Sequence, residues 1–264
     1  MGKCLVTTLK GSVQNDDLEV FGLLSFDVEA TSISSSYNKL TIEVSEPVKL
    51  SVDGGGYFAY NVNDLSTPSS CKTEDTITDS TTIYFGTGTY KGYIDNKYAI
   101  TKFMDNQGGS VVHINIKEFE WCTDMLDFRV SSGSDIGNLS DFSKMSSLQT
   151  LICRFNIYGE ISSLLGCTEL NYIKIDSNTK LTNQQISTFG TLLKLGTIDF
   201  TGTYGLNGTV ESYAAAQVAA GRTTGTTVIK GTNNITYNGS GIAGRTVTVT
   251  FNSSLSGGYS VSVA

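Results

Sequence analysis

His113 is the only histidine among the 264 residues, and acid–base or nucleophilic chemistry would require it beside a partner acid or nucleophile. It stands in Val112-His113-Ile114, an alternating pattern that reads as a strand position. Five cysteines, Cys4, Cys71, Cys122, Cys153 and Cys167, are scattered without a C-x-x-C pair. That spacing proposes neither a metal site nor a disulfide framework, and Cys153 and Cys167 read as small buried hydrophobes. No G-x-S-x-G elbow occurs, and Gly86-x-Gly88-x-x-x-Gly92 is one residue off the dinucleotide pattern with no helix after it, so these are read as hairpin glycines. The carboxylates are dispersed, and nothing in them proposes a glycosidase pair. The expectation is a protein without enzymatic activity and without a cofactor.

A more specific chemistry lies in a repeated nine-residue phrase. Segments beginning at Thr123, Leu148, Leu170 and Leu195 carry apolar residues at the fourth and sixth places: Leu126 and Phe128, Leu151 and Cys153, Ile173 and Ile175, Ile198 and Phe200. The ninth place holds Asn156 and Asn178 in two copies, and Ser131 and Thr203 in the others. The starts fall within the roughly 20 to 29 residue period of leucine-rich repeats. Parallel strands of such a unit turn alternate residues outward. The outward rows are then Met125, Thr150, Tyr172 and Thr197; Asp127, Ile152, Lys174 and Asp199; and Arg129, Arg154, Asp176 and Thr201. This alignment places Arg129, Arg154 and Asp176 side by side, with Lys174 next to Asp199. Arg129, Ile152, Arg154, Tyr172, Lys174, Asp176 and Asp199 form the candidate binding surface, since Tyr and Arg are common anchors at protein interfaces.

The elements that would carry these rows follow from the rest of the chain. Low charge, 28 glycines and only Pro47 and Pro68 suit strands and turns more than bundled helices. Residues 1–20 read as a docking arm with a short alternating strand from Cys4 to Leu9, and Lys3, Cys4, Leu5, Val6 and Leu9 are its candidate docking residues. Residues 21–108 read as an antiparallel β domain, with alternation at Leu40-Ile42-Val44 and Val48-Leu50-Val52, a Gly54-Gly55-Gly56 turn, and Asp95-Asn96 turning the chain between two further strands. Residues 109–225 are the repeat solenoid, sealed at its start by an edge strand at Val111–Phe119 and ending in a helix near Val210–Ala220 stopped by Gly221. Residues 226–264 read as a C-terminal β cap, or as an edge that pairs with a second subunit. The fold class is mainly β with some α. A net charge of -7 disfavours nucleic acid as a partner. No apolar run reaches spanning or signal length, so neither membrane insertion nor secretion is expected.

The opening Met1-Gly2-Lys3-Cys4-Leu5-Val6-Thr7-Thr8-Leu9-Lys10-Gly11 resembles the shared start of structural proteins of crAss-like phages that infect Bacteroides. Leu164-Leu165-Gly166-Cys167-Thr168-Glu169-Leu170 with Tyr172-Ile173-Lys174-Ile175 is similar to leucine-rich repeats of Bacteroides-type surface proteins. Ala220-Gly221-Arg222-Thr223-Thr224-Gly225-Thr226 is similar to the segment that often ends them. The resemblance implies a virion protein assembled in the host cytoplasm, a head fibre or another capsid or tail appendage. Its implied partners are other virion proteins, further copies of itself as a dimer or trimer, and a host-surface glycan or protein. The other reading of the same repeats is a bacterial surface adhesin or carbohydrate-binding protein.

Overall fold

A computed structural model describes residues 22–30, 39–53, 58–61, 72–105, 110–113, 116–130, 137–154 and 157–264. Lys3, Cys4, Leu5, Val6 and Leu9 of the expected docking arm lie outside the described residues, as do the Gly54–Gly56 turn, Ser131 and Asn156. The first part of the chain gives β1 (Leu24–Ala30), β2 (Lys39–Val44), β3 (Val48–Asp53), β4 (Phe58–Ala59), β5 (Glu74–Ile77), β6 (Thr81–Phe85), β7 (Gly88–Ile94), β8 (Ile100–Asp105) and β9 (Ser110–His113). The second part gives β10 (Asp127–Val130), β11 (Gly137–Asn138), β12 (Thr150–Arg154), β13 (Ile157–Tyr158), β14 (Tyr172–Asp176), β15 (Gln184–Gln185), β16 (Thr197–Asp199) and β17 (Leu206–Thr209). A helix α1 (Val210–Ala219) follows, and then β18 (Thr226–Lys230), β19 (Ile235–Tyr237), β20 (Ser240–Gly241), β21 (Val247–Phe251) and β22 (Tyr259–Val263).

Of four sheets among the described residues, two small ones, β11-β13 and β15-β17-β19-β20, lie in the second part, and two large ones organise the chain. The order β5-β3-β7-β1-β9 makes a five-stranded antiparallel sheet, and an eleven-stranded sheet runs β22-β21-β18-β16-β14-β12-β10-β8-β2-β6-β4. From β8 to β18 the strands of the larger sheet are parallel, with antiparallel strands at both ends. The sheet therefore continues from β8 into β10 past the junction expected near residue 108. The fold is mainly β, with short 3-10 helices between the parallel strands.

The parallel strands repeat because of a pattern with a period of three. Ile116, Phe119, Cys122, Met125, Phe128 and Val130 are followed in register by Leu139, Phe142, Met145, Leu148, Leu151 and Cys153. Ile161, Leu164, Cys167, Leu170, Ile173 and Ile175 come next, and then Ile186, Phe189, Leu192, Leu195, Ile198 and Phe200. Each of these side chains is at most 1 % exposed. The backbone sets the spacing, since in every unit an N–H donates to the carbonyl three residues earlier. Examples are Cys122 to Phe119 at 2.8 Å, Cys167 to Leu164 at 2.9 Å and Leu192 to Phe189 at 3.1 Å. In such 3-10 geometry residues i and i+3 share one face, so an apolar residue every third place always points inward. Burying each large side chain contributes roughly 1.5 to 3 kcal/mol.

Several expectations are corrected here. Val111–Phe119 is not an edge strand sealing the repeats: β9 pairs antiparallel with β1 in the other sheet, and Ile116–Phe119 is a 3-10 helix. The strand before β10 is β8. Asp95-Asn96 does not form a hairpin, because β7 and β8 belong to different sheets; Asn96 instead caps the 3-10 helix Lys97–Ala99 by accepting from the Tyr98 N–H at 3.2 Å. Nor are the glycines after Phe85 hairpin glycines. Gly92 pairs with Phe26, and a Cβ there would meet its ring at 2.3 Å.

Phe26 belongs to a chain of rings that joins the two parts. It contacts Phe103 (5.9 Å between centroids), Phe103 contacts Phe119 (4.9 Å) and Phe128 (6.2 Å), and Phe128 contacts Phe142 (5.2 Å). All but the stacked Phe103–Phe128 pair meet edge to face, and aromatic pairs of both kinds add about 0.5 to 1.5 kcal/mol beyond area burial. The antiparallel part thus covers the apolar side of the first repeat unit.

Candidate functional site

The outer face of the parallel strands is a regular surface whose rows are fixed by the pairing. One row is Lys102, Asp127, Thr150, Tyr172, Thr197 and Val228, and the next is Met104, Arg129, Ile152, Lys174, Asp199 and Lys230. Arg154 pairs with Asp176 in a third. The first repeat is displaced by two residues from the sequence alignment, because Phe128, not Leu126, lies opposite Leu151. Leu126 is 40 % exposed and Met125 is buried. A two-residue slip preserves strand alternation, so the strand pattern alone could not detect it; the columns of Phe119, Cys122 and Met125 decide the register. Arg129 consequently stands beside Ile152 and not beside Arg154, whereas Lys174 and Asp199 are neighbours as expected.

Charges on this face are arranged in pairs. Arg129 forms a fork with Asp127 on its own strand, Nε to Oδ1 at 2.6 Å and Nη2 to Oδ2 at 2.7 Å. This bond to Asp127 raises the Arg129 pKa further. Arg154 Nε donates to both oxygens of Asp176 at 3.0 and 2.9 Å. Lys174 Nζ lies 3.8 Å from Asp176 and 3.8 Å from Asp199, linking the two carboxylates. Asp199 also accepts from the Thr201 hydroxyl at 2.7 Å. At the other end of the face, Lys102 meets Glu43 at 2.9 Å and its hydrogen bond holds that carboxyl below the usual range.

Tyr172 and Ile152 sit half-buried among these pairs. Partial burial, followed by repulsion from Asp199, raises the Tyr172 pKa, so the phenol stays protonated and remains a hydrogen-bond donor. The arrangement suits recognition: an aromatic donor and an aliphatic side chain at the centre, with charges already neutralised around them. The Asp176 and Asp199 carboxylates are largely buried, so Arg154 and Lys174 also offset the cost of desolvating them, whereas the more exposed Arg129–Asp127 and Lys102–Glu43 pairs contribute only about 0.2 to 1 kcal/mol each.

A concave feature lies at the turns that follow the strands. A cavity of about 300 Å³ is lined by Asn178, Thr179, Leu181, Thr182, Asn183, Tyr204 and Gly205, with Tyr204 69 % exposed at its rim. Asn178 builds the wall. Its Nδ2 donates to the Ile157 carbonyl at 2.8 Å and its Oδ1 accepts from Lys180 and Leu181 N–H groups at 2.8 and 2.9 Å. Thr203 serves the turn with its hydroxyl, accepting from the Asn178 N–H at 3.0 Å and donating to the Ile175 carbonyl at 2.7 Å. Sequence reading picked out both ninth-place residues but not the cavity, because Tyr204 belongs to no repeated position.

Three thiols lie buried behind the face. Burial pushes the Cys122 and Cys167 thiols up to about 12, and Cys153 is also raised by burial. Thiols that stay protonated are poor nucleophiles and poor metal ligands. Among the described residues no group of three His, Cys, Asp or Glu side chains is placed to hold a metal ion.

The strand pairing and this face define a mainly β protein in which a parallel ladder is flanked by antiparallel strands. No protein-family model and no curated protein matches the chain.

Proposed function

We propose that the parallel ladder is a short leucine-rich-repeat solenoid and that the chain is a non-enzymatic virion part of a crAss-like phage. In this reading it is a head fibre or another capsid or tail appendage that docks through its N-terminal part, assembles as a small oligomer and presents the outer strand face to a protein or a host surface. The observation that supports the solenoid is the set of six apolar columns repeated from Ile116 to Phe200, each inward in every unit. The virion role rests on the resemblance of residues 1–11. A repeated scaffold displaying a preformed face gains at a host surface from several copies acting together.

Quantitative mass spectrometry of purified particles of the source phage tests the reading. Many copies per particle are expected; recovery of the chain from host envelopes, with none in particles, overturns it. The cavity beside Tyr204 favours carbohydrate binding as a second reading, since an exposed ring next to amide and hydroxyl groups suits a sugar face. On a glycan array, Tyr204→Ala would then abolish binding that the wild-type chain displays.

A further inference from the structure

The large sheet ends on two very different edges. At one end β4 is two residues long, and Phe58 is bridged to Lys72. At the other, β22 is the longest edge strand described, and from Thr246 through Ala264 the sequence has no charged residue and no proline. Edges are normally protected by short length, charge or proline, and β22 has none of these.

The phase of β22 is fixed by its inner neighbour. Thr246 and Ala264 exchange both backbone hydrogen bonds at 2.9 Å, and Asn252 N–H donates to the Gly258 carbonyl at 2.9 Å. With the register Thr248 to Ser262 and Thr250 to Ser260, the backbone groups of Ser260 and Ser262 face β21. Those of Tyr259, Val261 and Val263 face away from it, because both groups of a residue in an antiparallel strand point to the same side. Their side chains also fall on one face, the one that continues the buried row of Val247, Val249 and Phe251, yet they are only partly covered and Val263 is 41 % exposed.

We infer that β22 is a self-association edge, pairing antiparallel with β22 of a second copy about a two-fold axis through Val261. This inference names the contact for the oligomer in the reading above and rests on that part of it. The register is self-complementary: Val261 meets Val261, Tyr259 meets Val263, and every outward N–H meets an outward carbonyl. Serines 260 and 262 pair across the opposite face. A second copy fits as the occupant because the outward groups and side chains of Tyr259, Val261 and Val263 are self-complementary about Val261, and neither copy brings a charged side chain from Thr246 to Ala264 to the contact. Two sheets of eleven strands then join edge to edge.

Sedimentation of the full chain over a concentration series tests the pairing. The expected result is a doubling of mass for the wild type and for Ser254→Lys, which adds the same charge in the nearby exposed turn. Val261→Lys places two like charges on the axis, and Val261→Pro removes an outward N–H that β21 does not use; both should remain monomeric while still melting cooperatively, at a lower temperature than the dimer. A wild-type chain that stays monomeric, or dimers that persist in both Val261 variants, overturns the inference. Neither result depends on whether the chain occurs in particles.

Discussion

The strands from β10 to β16 and the segment from Val210 to Val263 both cover an apolar core, by different means. In the first, each unit lays the same columns on the next, and backbone groups are met by neighbouring backbone: Leu126 N–H on Thr101, Gln149 on Leu126, Asn171 on Gln149 and Gly196 on Asn171. In the second the ladder takes one more parallel strand, with Val228 N–H on Gly196, and side chains meet the carbonyls left between the units. Gln217, fully buried, donates to the Phe189 and Leu192 carbonyls at 2.8 and 3.1 Å. Arg222 donates to the Leu195 carbonyl, Gln217 Oε1 and Thr227 Oγ1, each at 2.9 Å, while its guanidinium lies 4.3 Å from the centroid of the Phe251 ring. Repetition sets register through apolar columns; closure depends on a buried polar cluster built around one cation. Burial lowers the Arg222 pKa, as expected for a charge held by neutral acceptors and an aromatic face.

Breaking a column should have the largest effect. Ile173→Asp puts an unpaired charge at a fully buried position and is expected to abolish the cooperative circular dichroism melt. Phe128→Ala should cost about 3 to 5 kcal/mol in urea unfolding, whereas Leu126→Ala, two residues away and exposed, should stay within about 0.5 kcal/mol; the reverse order would restore the original alignment of the first repeat. Arg222→Met tests closure and should cost roughly 1 to 3 kcal/mol, the penalty for leaving buried acceptors unsatisfied. On the outer face, Arg154→Ala leaves the buried Asp176 with only Lys174, 3.8 Å away, and is expected to cost about 1 kcal/mol; a loss as large as that of Phe128→Ala would make that face part of the closure problem. The smallest effect concerns Glu43, whose folded pKa lies below the ordinary 4.5 because of Lys102. Its contribution is present above pH 4.5 and lost as the pH falls through the folded value. The melting difference between wild type and Glu43→Gln should therefore shrink between pH 7 and pH 3.

The strand part of each repeat was legible because Leu151 and Cys153, Ile173 and Ile175, and Ile198 and Phe200 alternate as a half-buried strand must. The 3-10 segments were not, since a period of three matches neither the strand nor the helix template; reading Phe119, Cys122 and Met125 as a column would have placed Phe128 correctly. Val210–Ala219 and its Gly221 stop were readable from composition and glycine position, and Gly221 indeed has φ +97°. The destination of β9 was not, because alternation at residues 111–113 does not say which sheet the strand joins. On the candidate face, residue types were legible and pairings only in part. Lys174 and Asp199 followed from repeat spacing, but the Asp127–Arg129 fork required the register.

The near-constant distance between successive inward residues, Phe128 to Leu151, Ile173 and Ile198, also bears on how the chain assembles in time. Closing each new strand onto the last encloses a loop of similar length, and the entropy of closure grows only with the logarithm of that length. No unit then presents a disproportionate barrier. At a synthesis rate of about 5 to 20 residues per second, a fresh strand reaches the growing edge every few seconds, and docking advances in the order in which the units are made. Until the antiparallel strands β21 and β22 arrive, each newly docked parallel strand leaves its outer edge open.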